Sequence, residues 1–200
     1  TGTGSLIKKG SGQLTLGGTN SYTGDTKIEA GTLISNSLSD SSDVEVSSGA
    51  IYQLSSADTI ASLSGAGTVD LEGQQLTVTQ PASTQATFSG IISGSTSTSH
   101  LKKAGSGTLI LSGANTYQGN TSVDAGILRV SGSLNDSTIV DVSSGATYRL
   151  GGSDTIGGLT GAGSVDLNSN ELTVSQSASE ATFSGIISGS TSTSHLKKAG

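Results

Sequence analysis

Two histidines, His100 and His195, sit at the same position of a repeated segment, each followed by a dibasic pair, Lys102-Lys103 and Lys197-Lys198. A serine hydrolase needs a Ser activated by such a base, and an acid that orients the base. The chain has no Gly-x-Ser-x-Gly elbow at a strand-to-helix turn. A catalytic centre copied unchanged along a rod would be unusual, so both His are read as surface residues at a coil edge. Glycoside cleavage needs two carboxylates held several Å apart. Asp40, Asp43 and Glu45, and later Asp136 and Asp141, are the residues to consider, but their spacing differs between copies. They are expected to point into solvent, as are Asp70 and Asp166, which recur between inward Val and Leu in Gly-Ala-Gly-x-Val-Asp-Leu.

Metal and ligand chemistry fares no better. Neither an EF-hand loop nor a Gly-Gly-x-Gly-x-Asp tandem is present, so Asp25, Asp124, Asn20 and Asn115 are read as turn caps. Tyr22 and Tyr117 are expected to pack over a corner of the coil. Lys8-Lys9, Lys102-Lys103 and Lys197-Lys198 recur once per unit. They could form a stripe for acidic glycans or lipid head groups, and the reading adopted is that they guard strand edges against sideways pairing. The Ser-Thr run at 95–99 occurs once per unit, too seldom for an ice-matching face. No catalytic, cofactor-binding or metal-ligating residue is assigned, no cofactor is expected, and the chain is read as a non-enzyme.

The scaffold that must carry these residues is constrained by composition. Of 200 residues, 30 are Gly, 39 Ser and 26 Thr, and only 44 are Leu, Ile, Val or Phe. A thick globular core is out of reach, which leaves a disordered linker or a fold with a thin, evenly spread core. A net charge of −6 is too small to keep the chain expanded. The acidic balance and 3% aromatics argue against nucleic acid, and the lack of Cys excludes disulfides and thiolate chemistry. No apolar run approaches the roughly 20 residues of a membrane-spanning helix. The chain opens on Thr1 without a leader and stops mid-pattern at Gly200, so it is read as a piece of a longer one.

Internal repetition decides between the two options. Residues 86–105, ATFSGIISGSTSTSHLKKAG, return letter for letter at 181–200, an offset of 95. Tyr52 and Tyr148 are 96 apart, which places a one-residue insertion near Thr138 and its removal near Glu180, both expected in loops. Leu109/Leu111, Val140/Val142, Tyr148/Leu150, Val165/Leu167 and Leu172/Val174 alternate as i, i+2 pairs, while no window has helical spacing. Strands of three to five residues that each bury one face are stable only when stacked. The fold class is therefore all-β, a β-solenoid of about 20–25 residues per coil and about four coils per unit. Its units are residues 1–99, 100–194 and the start of a third at 195–200, on one continuous solenoid. Narrow cores suit few large residues, and Gly, Asn and Asp suit the corners.

The segment GSGTLILSGANTYQGNTSVDAGIL at 105–128 closely resembles the β-strand repeat of bacterial autotransporter passenger domains. The copy at 10–33 follows the same pattern, with Gln13 for the first Thr, Ser21 for the Thr before Tyr22, and Ile28 for the Val. The resemblance implies a right-handed parallel β-helix carried to the surface of a Gram-negative cell by an outer-membrane translocator barrel. It implies a location and a scaffold, and leaves activity to be argued from a site. On this basis the chain is expected to be a non-enzymatic surface segment acting as a rigid stalk and as an adhesion or self-association surface. Expected partners are neighbouring repeats, other copies or a host ligand, and no nucleic acid. A structural fibre or sheath protein is the alternative, and a polysaccharide-acting enzyme a third.

Overall fold

A computed structural model describes residues 2–176 and 180–199. Thr1 and Gly200, on which the expectation of a longer chain rests, lie outside the described residues. Every strand pairing among the described strands is parallel, and no helix occurs among the described residues. The chain winds as a three-faced β-solenoid of about nine turns.

The first two coils contribute β1 (Leu6–Lys8), β2 (Gln13–Leu16), β3 (Thr26–Ile28) and β4 (Thr32–Ser35). The next two add β5 (Asp43–Val46), β6 (Ile51–Leu54), β7 (Asp58–Ile60), β8 (Ser62–Gly65), β9 (Thr68–Asp70) and β10 (Gln75–Val78). Then come β11 (Gln85–Phe88), β12 (Ile91–Ser93), β13 (His100–Lys103), β14 (Thr108–Leu111), β15 (Thr121–Val123) and β16 (Ile127–Val130). The last are β17 (Ile139–Val142), β18 (Thr147–Leu150), β19 (Asp154–Ile156), β20 (Gly158–Gly161), β21 (Ser164–Asp166), β22 (Glu171–Val174), β23 (Ile186–Ser188) and β24 (His195–Lys198).

One face is an unbroken ten-stranded sheet, β1-β3-β5-β8-β11-β14-β16-β18-β21-β23. At about 4.8 Å per strand its nine steps rise about 43 Å. The second face runs β2-β4-β6-β9-β12, continues through hydrogen-bonded loop backbone at Asn115–Gln118 and Ser133–Leu134, and resumes as β19-β22-β24. The third begins with loop backbone at Tyr22 and Leu38 and continues β7-β10-β13-β15-β17-β20. Register offsets set the coil length: Ile51 pairs with Thr68, 17 residues on, Leu109 with Leu128, 19 on, and Gln75 with His100, 25 on. Coils thus vary in length, and along the ten-stranded face most fall within the expected 20–25 residues, the rest being slightly shorter. From β1 to the equivalent strand β13 the chain occupies fourteen face positions, four and two-thirds coils where about four were expected.

The alternation read from the sequence is what the core uses. Leu109, Leu128, Tyr148 and Val165 stack in register as one fully buried row. Leu111, Val130 and Leu150 form the neighbouring row, also fully buried. Each fully buried Leu, Ile or Val is worth about 1.5–3 kcal/mol, so a few per coil sustain the rod. The stretch 122–130 bends between two faces, with β15 ending at Val123 and β16 starting at Ile127. Gly126 makes that corner at φ 65°, where a Cβ would lie 2.4 Å from the Gly107 carbonyl oxygen. The conformation and the close coil beneath it both demand glycine there.

Candidate functional site

The expected surface lysines divide into two kinds. Lys8 and Lys103 occupy inward positions, in register with Ile28 and Val123, and are 6% and 0% exposed. This corrects the reading of the dibasic pairs as edge guards. The Lys103 Nζ donates to the carbonyls of Ala104 and Gly105, both at 2.7 Å, and of Ala125 on the next coil at 3.1 Å. Lys8 repeats the arrangement with Lys9, Gly10 and Ala30 at 3.1, 2.7 and 2.9 Å. Burial lowers the Lys103 ammonium to about 8, so at neutral pH it is still a charged donor to three corner carbonyls. The stem fills the core row while the head closes the corner. Lys9 and Lys102 point outward into ion pairs with Glu29 at 3.6 Å and Asp124 at 2.6 Å. Asp124 therefore bridges coils, and does not cap a turn as expected.

Of the carboxylates considered for catalysis, only Asp43 and Glu45 share a depression. Asp43 and Glu45 flank a depression of about 400 Å³ that also meets Asp25, Lys27 and Ile7. Glu45 is held by Lys27 at 3.3 Å, and burial, with the nearby Asp25 charge, raises the Asp43 carboxyl. The equivalent positions in the second unit hold Ile139 for Asp43 and Asn120 for Asp25, so the acidic depression belongs to one unit alone. Asp40 lies apart from it, beside Asp58. Asp136 lies beside Asp154, and Asp141 accepts the Thr160 hydroxyl at 2.7 Å. Asp70 and Asp166 face outward as expected and accept the backbone N–H two residues on, from Glu72 and Asn168. Both of those residues sit at positive φ. Asp166 also receives Arg149 at 2.8 Å.

His100 is half-buried, and its Nδ1 accepts the Asn120 N–H at 2.8 Å, a tie between coils. Asn115 does more than cap its turn. Its Oδ1 accepts Ile92 N–H at 3.0 Å and its Nδ2 donates to Gly113 at 3.1 Å and Ser133 at 3.0 Å, spanning three successive coils. Asn20 reaches Gly18 and Ser37. Tyr117 is fully buried and Tyr22 half-buried, each with its hydroxyl 2.5 Å from a Thr Oγ1, that of Thr121 and Thr26 respectively.

The sequence reading passed over Asp58 and Asp154, which are 4% and 7% exposed. Each carboxylate accepts a backbone N–H from the coil below, Leu38 at 3.0 Å and Leu134 at 3.2 Å, and a buried tyrosine hydroxyl, Tyr52 or Tyr148. Burial raises both carboxyls, Asp154 to about 6, against the lowering effect of those bonds. The signal was available: Asp58 and Asp154 lie two residues before the inward Ile60 and Ile156, in phase with the core. Among the described residues no group of three or more His, Asp or Glu is placed to hold a metal, and no helix is long and apolar enough to cross a membrane. What recurs in both units is a set of inter-coil fasteners.

Comparison with known proteins agrees with this architecture. Residues 6–34 and 101–130 match the passenger-associated transport repeat family. The two matches begin at β1 and at Leu101 in β13, and they hold the corner lysines, Asn20 and Asn115, and Gly31 and Gly126. The chain is 39% identical over 203 aligned residues to the adhesin BmaC autotransporter of Brucella suis biovar 1 (strain 1330). That alignment covers 91% of this chain and 6% of the relative, so the chain spans a small part of that protein's length. No solved structure matches the chain.

Proposed function

Given that the chain is a repeat segment of an autotransporter passenger, we propose that it is a non-enzymatic, surface-displayed stretch of adhesin that acts as a rigid spacer and associates sideways with other copies. The observation that carries this is the unbroken ten-stranded sheet with its repeated inter-coil fasteners. Each coil templates the next through backbone hydrogen bonds, and the polar Ser, Thr and Asn on the outside offer many weak contacts that add up over long rods. The name of the Brucella relative supports an adhesive role. An outer-membrane barrel elsewhere in the parent protein would pass the segment outward, and each coil that folds outside buries surface and resists back-sliding.

Cells displaying the segment should settle faster than cells displaying the same passenger without it. Equal settling would count against self-association. Incubation with polysaccharides should release no reducing ends, and release that disappears in Asp43→Asn or Asp141→Asn would overturn the non-enzymatic reading.

A further inference from the structure

The strand that opens each unit occurs three times in this chain, as β1, β13 and β24, and each time on a different face. β1 belongs to the first face, β13 stacks on β10 in the third, and β24 stacks on β22 in the second. Fourteen face positions per unit is two more than a multiple of three, so each unit starts a third of a turn out of phase with the one before. Equivalent surfaces thus turn by 120° for every unit, about 22 Å of rise at 4.8 Å per coil, and return to the same side after three units, about 67 Å.

The most prominent feature carried round in this way is the Ser-Thr knuckle. The coil from Gln75 to His100 takes 25 residues where that from Ile51 to Thr68 takes 17, and the excess is shared between the loop at 79–84 and the loop at 94–99, where Ser95–Thr98 project, all four exposed. Its base is braced from below, with Ser99 Oγ accepting Gly73 N–H at 3.1 Å and Thr96 bonded to Thr98 at 3.0 Å. The counterpart repeats the brace, with Thr191 bonded to Thr193 at 2.7 Å and the Ser190 hydroxyl donating to the Asn168 carbonyl at 2.8 Å. The first knuckle lies between β12 and β13, at the corner of the second and third faces. The other lies between β23 and β24, at the corner of the first and second.

We propose that this phase shift makes the rod an all-round contact element: the hydroxyl knuckles follow a threefold screw, and the partners they fit are further copies of the rod packed on every side. The choice of partner rests on the self-association proposed above. A flat anionic surface is a poorer match, because knuckles that turn by 120° per unit would meet one plane only once in three units. Lys102 is also engaged by Asp124, Lys8 and Lys103 are buried, and the pairs stand on different faces.

The chain has no Cys, so spin labels at S97C and S192C report the screw directly in the full chain. The expected separation is about 30 Å or more, since a face of four-residue strands adds lateral distance to the 22 Å rise. A separation near 22 Å would place both knuckles on one side and overturn the screw. Electron microscopy of the displayed protein should show bundles that thicken in both lateral directions, more readily at raised salt, where the acidic rods repel less. Flat one-sided rafts, or salt-sensitive binding to phosphatidylserine vesicles in place of bundling, would overturn the choice of partner. Absence of any association would overturn that choice together with the self-association reading, while the label distance would still stand on its own.

Discussion

The side chain of Lys103 reaches across to the next coil and donates to the carbonyl of Ala125, 22 residues on, at 3.1 Å. With the carbonyls of Ala104 and Gly105 also on Nζ, one ammonium closes a solenoid corner that the backbone ladder leaves open. Lys103→Met keeps the stem and removes the donor, leaving carbonyls of a buried corner without a partner. The expected loss is about 2–3 kcal/mol in urea unfolding, since an unmade buried bond costs about 1–3 kcal/mol. Lys102→Met removes an outward ion pair and should cost under about 1 kcal/mol. Equal losses would refute the division of the dibasic pair into plug and surface charge.

The solenoid was legible because alternation at Leu109/Leu111 and Val140/Val142, with Gly and Asn between the strands, leaves stacked short strands as the packing solution. The inward polar residues were harder to read. Lys103 and Asp58 stand two residues from Leu101 and Ile60 on the same strand face, and phase alone would have turned them inward, but charge argued the other way. Three carbonyls around one head, and a tyrosine with a backbone N–H around the other, offset the desolvation, and one partner in each set, Ala125 and Leu38, comes from another coil. The 120° step was hidden for a different reason. A repeat of 95 residues reports similarity along the chain, and only strand register reveals how many faces those residues visit.

Asn115 and Asn20 stand at equivalent positions but should not be equally important. Asn115 is 3% exposed and bonded to three coils, whereas Asn20 is half-buried with two carbonyl partners. Asn115→Ala is expected to cost about 2–3 kcal/mol and Asn20→Ala about 1 kcal/mol. Thermal melts of the two variants test the order, and a larger loss for Asn20→Ala would refute it.

Two positive-φ glycines separate backbone strain from close approach. Gly145 has φ 84° with open space where a Cβ would stand, while Gly126 has φ 65° and the Gly107 oxygen 2.4 Å from that point. Gly145→Ala should cost about 1–2 kcal/mol, from backbone conformation alone. Gly126→Ala must also push two coils apart and should cost more than about 3 kcal/mol. Hydrogen exchange at β15 and β16 should rise in the second variant and stay at the parent level in the first. Parity between them would mean that the coils are not locked at this corner.

Asp154 makes the rod respond to acid in an unusual direction. Its carboxyl is buried against Tyr148 and the Leu134 N–H, with Asp136 nearby and Tyr117 close to Tyr148, and it is raised to about 6. Asp58 is raised in the same setting, among Tyr52, Tyr22 and Asp40. A group whose folded pKa lies above its unfolded value holds its proton more tightly in the folded state. The folded chain therefore binds more protons between about pH 4 and 6, and stability falls as pH rises through that window. Acidification from pH 7 to pH 5 should raise the melting temperature, with Asp154 contributing at most about 3 kcal/mol by pH 4. Asp154→Asn keeps an acceptor for Leu134 and removes the charge, so it should match or exceed the parent at pH 7 and flatten the pH dependence. A parent that melts lower at pH 5 than at pH 7, with the Asn variant following the same slope, would show that this buried carboxyl does not govern the response.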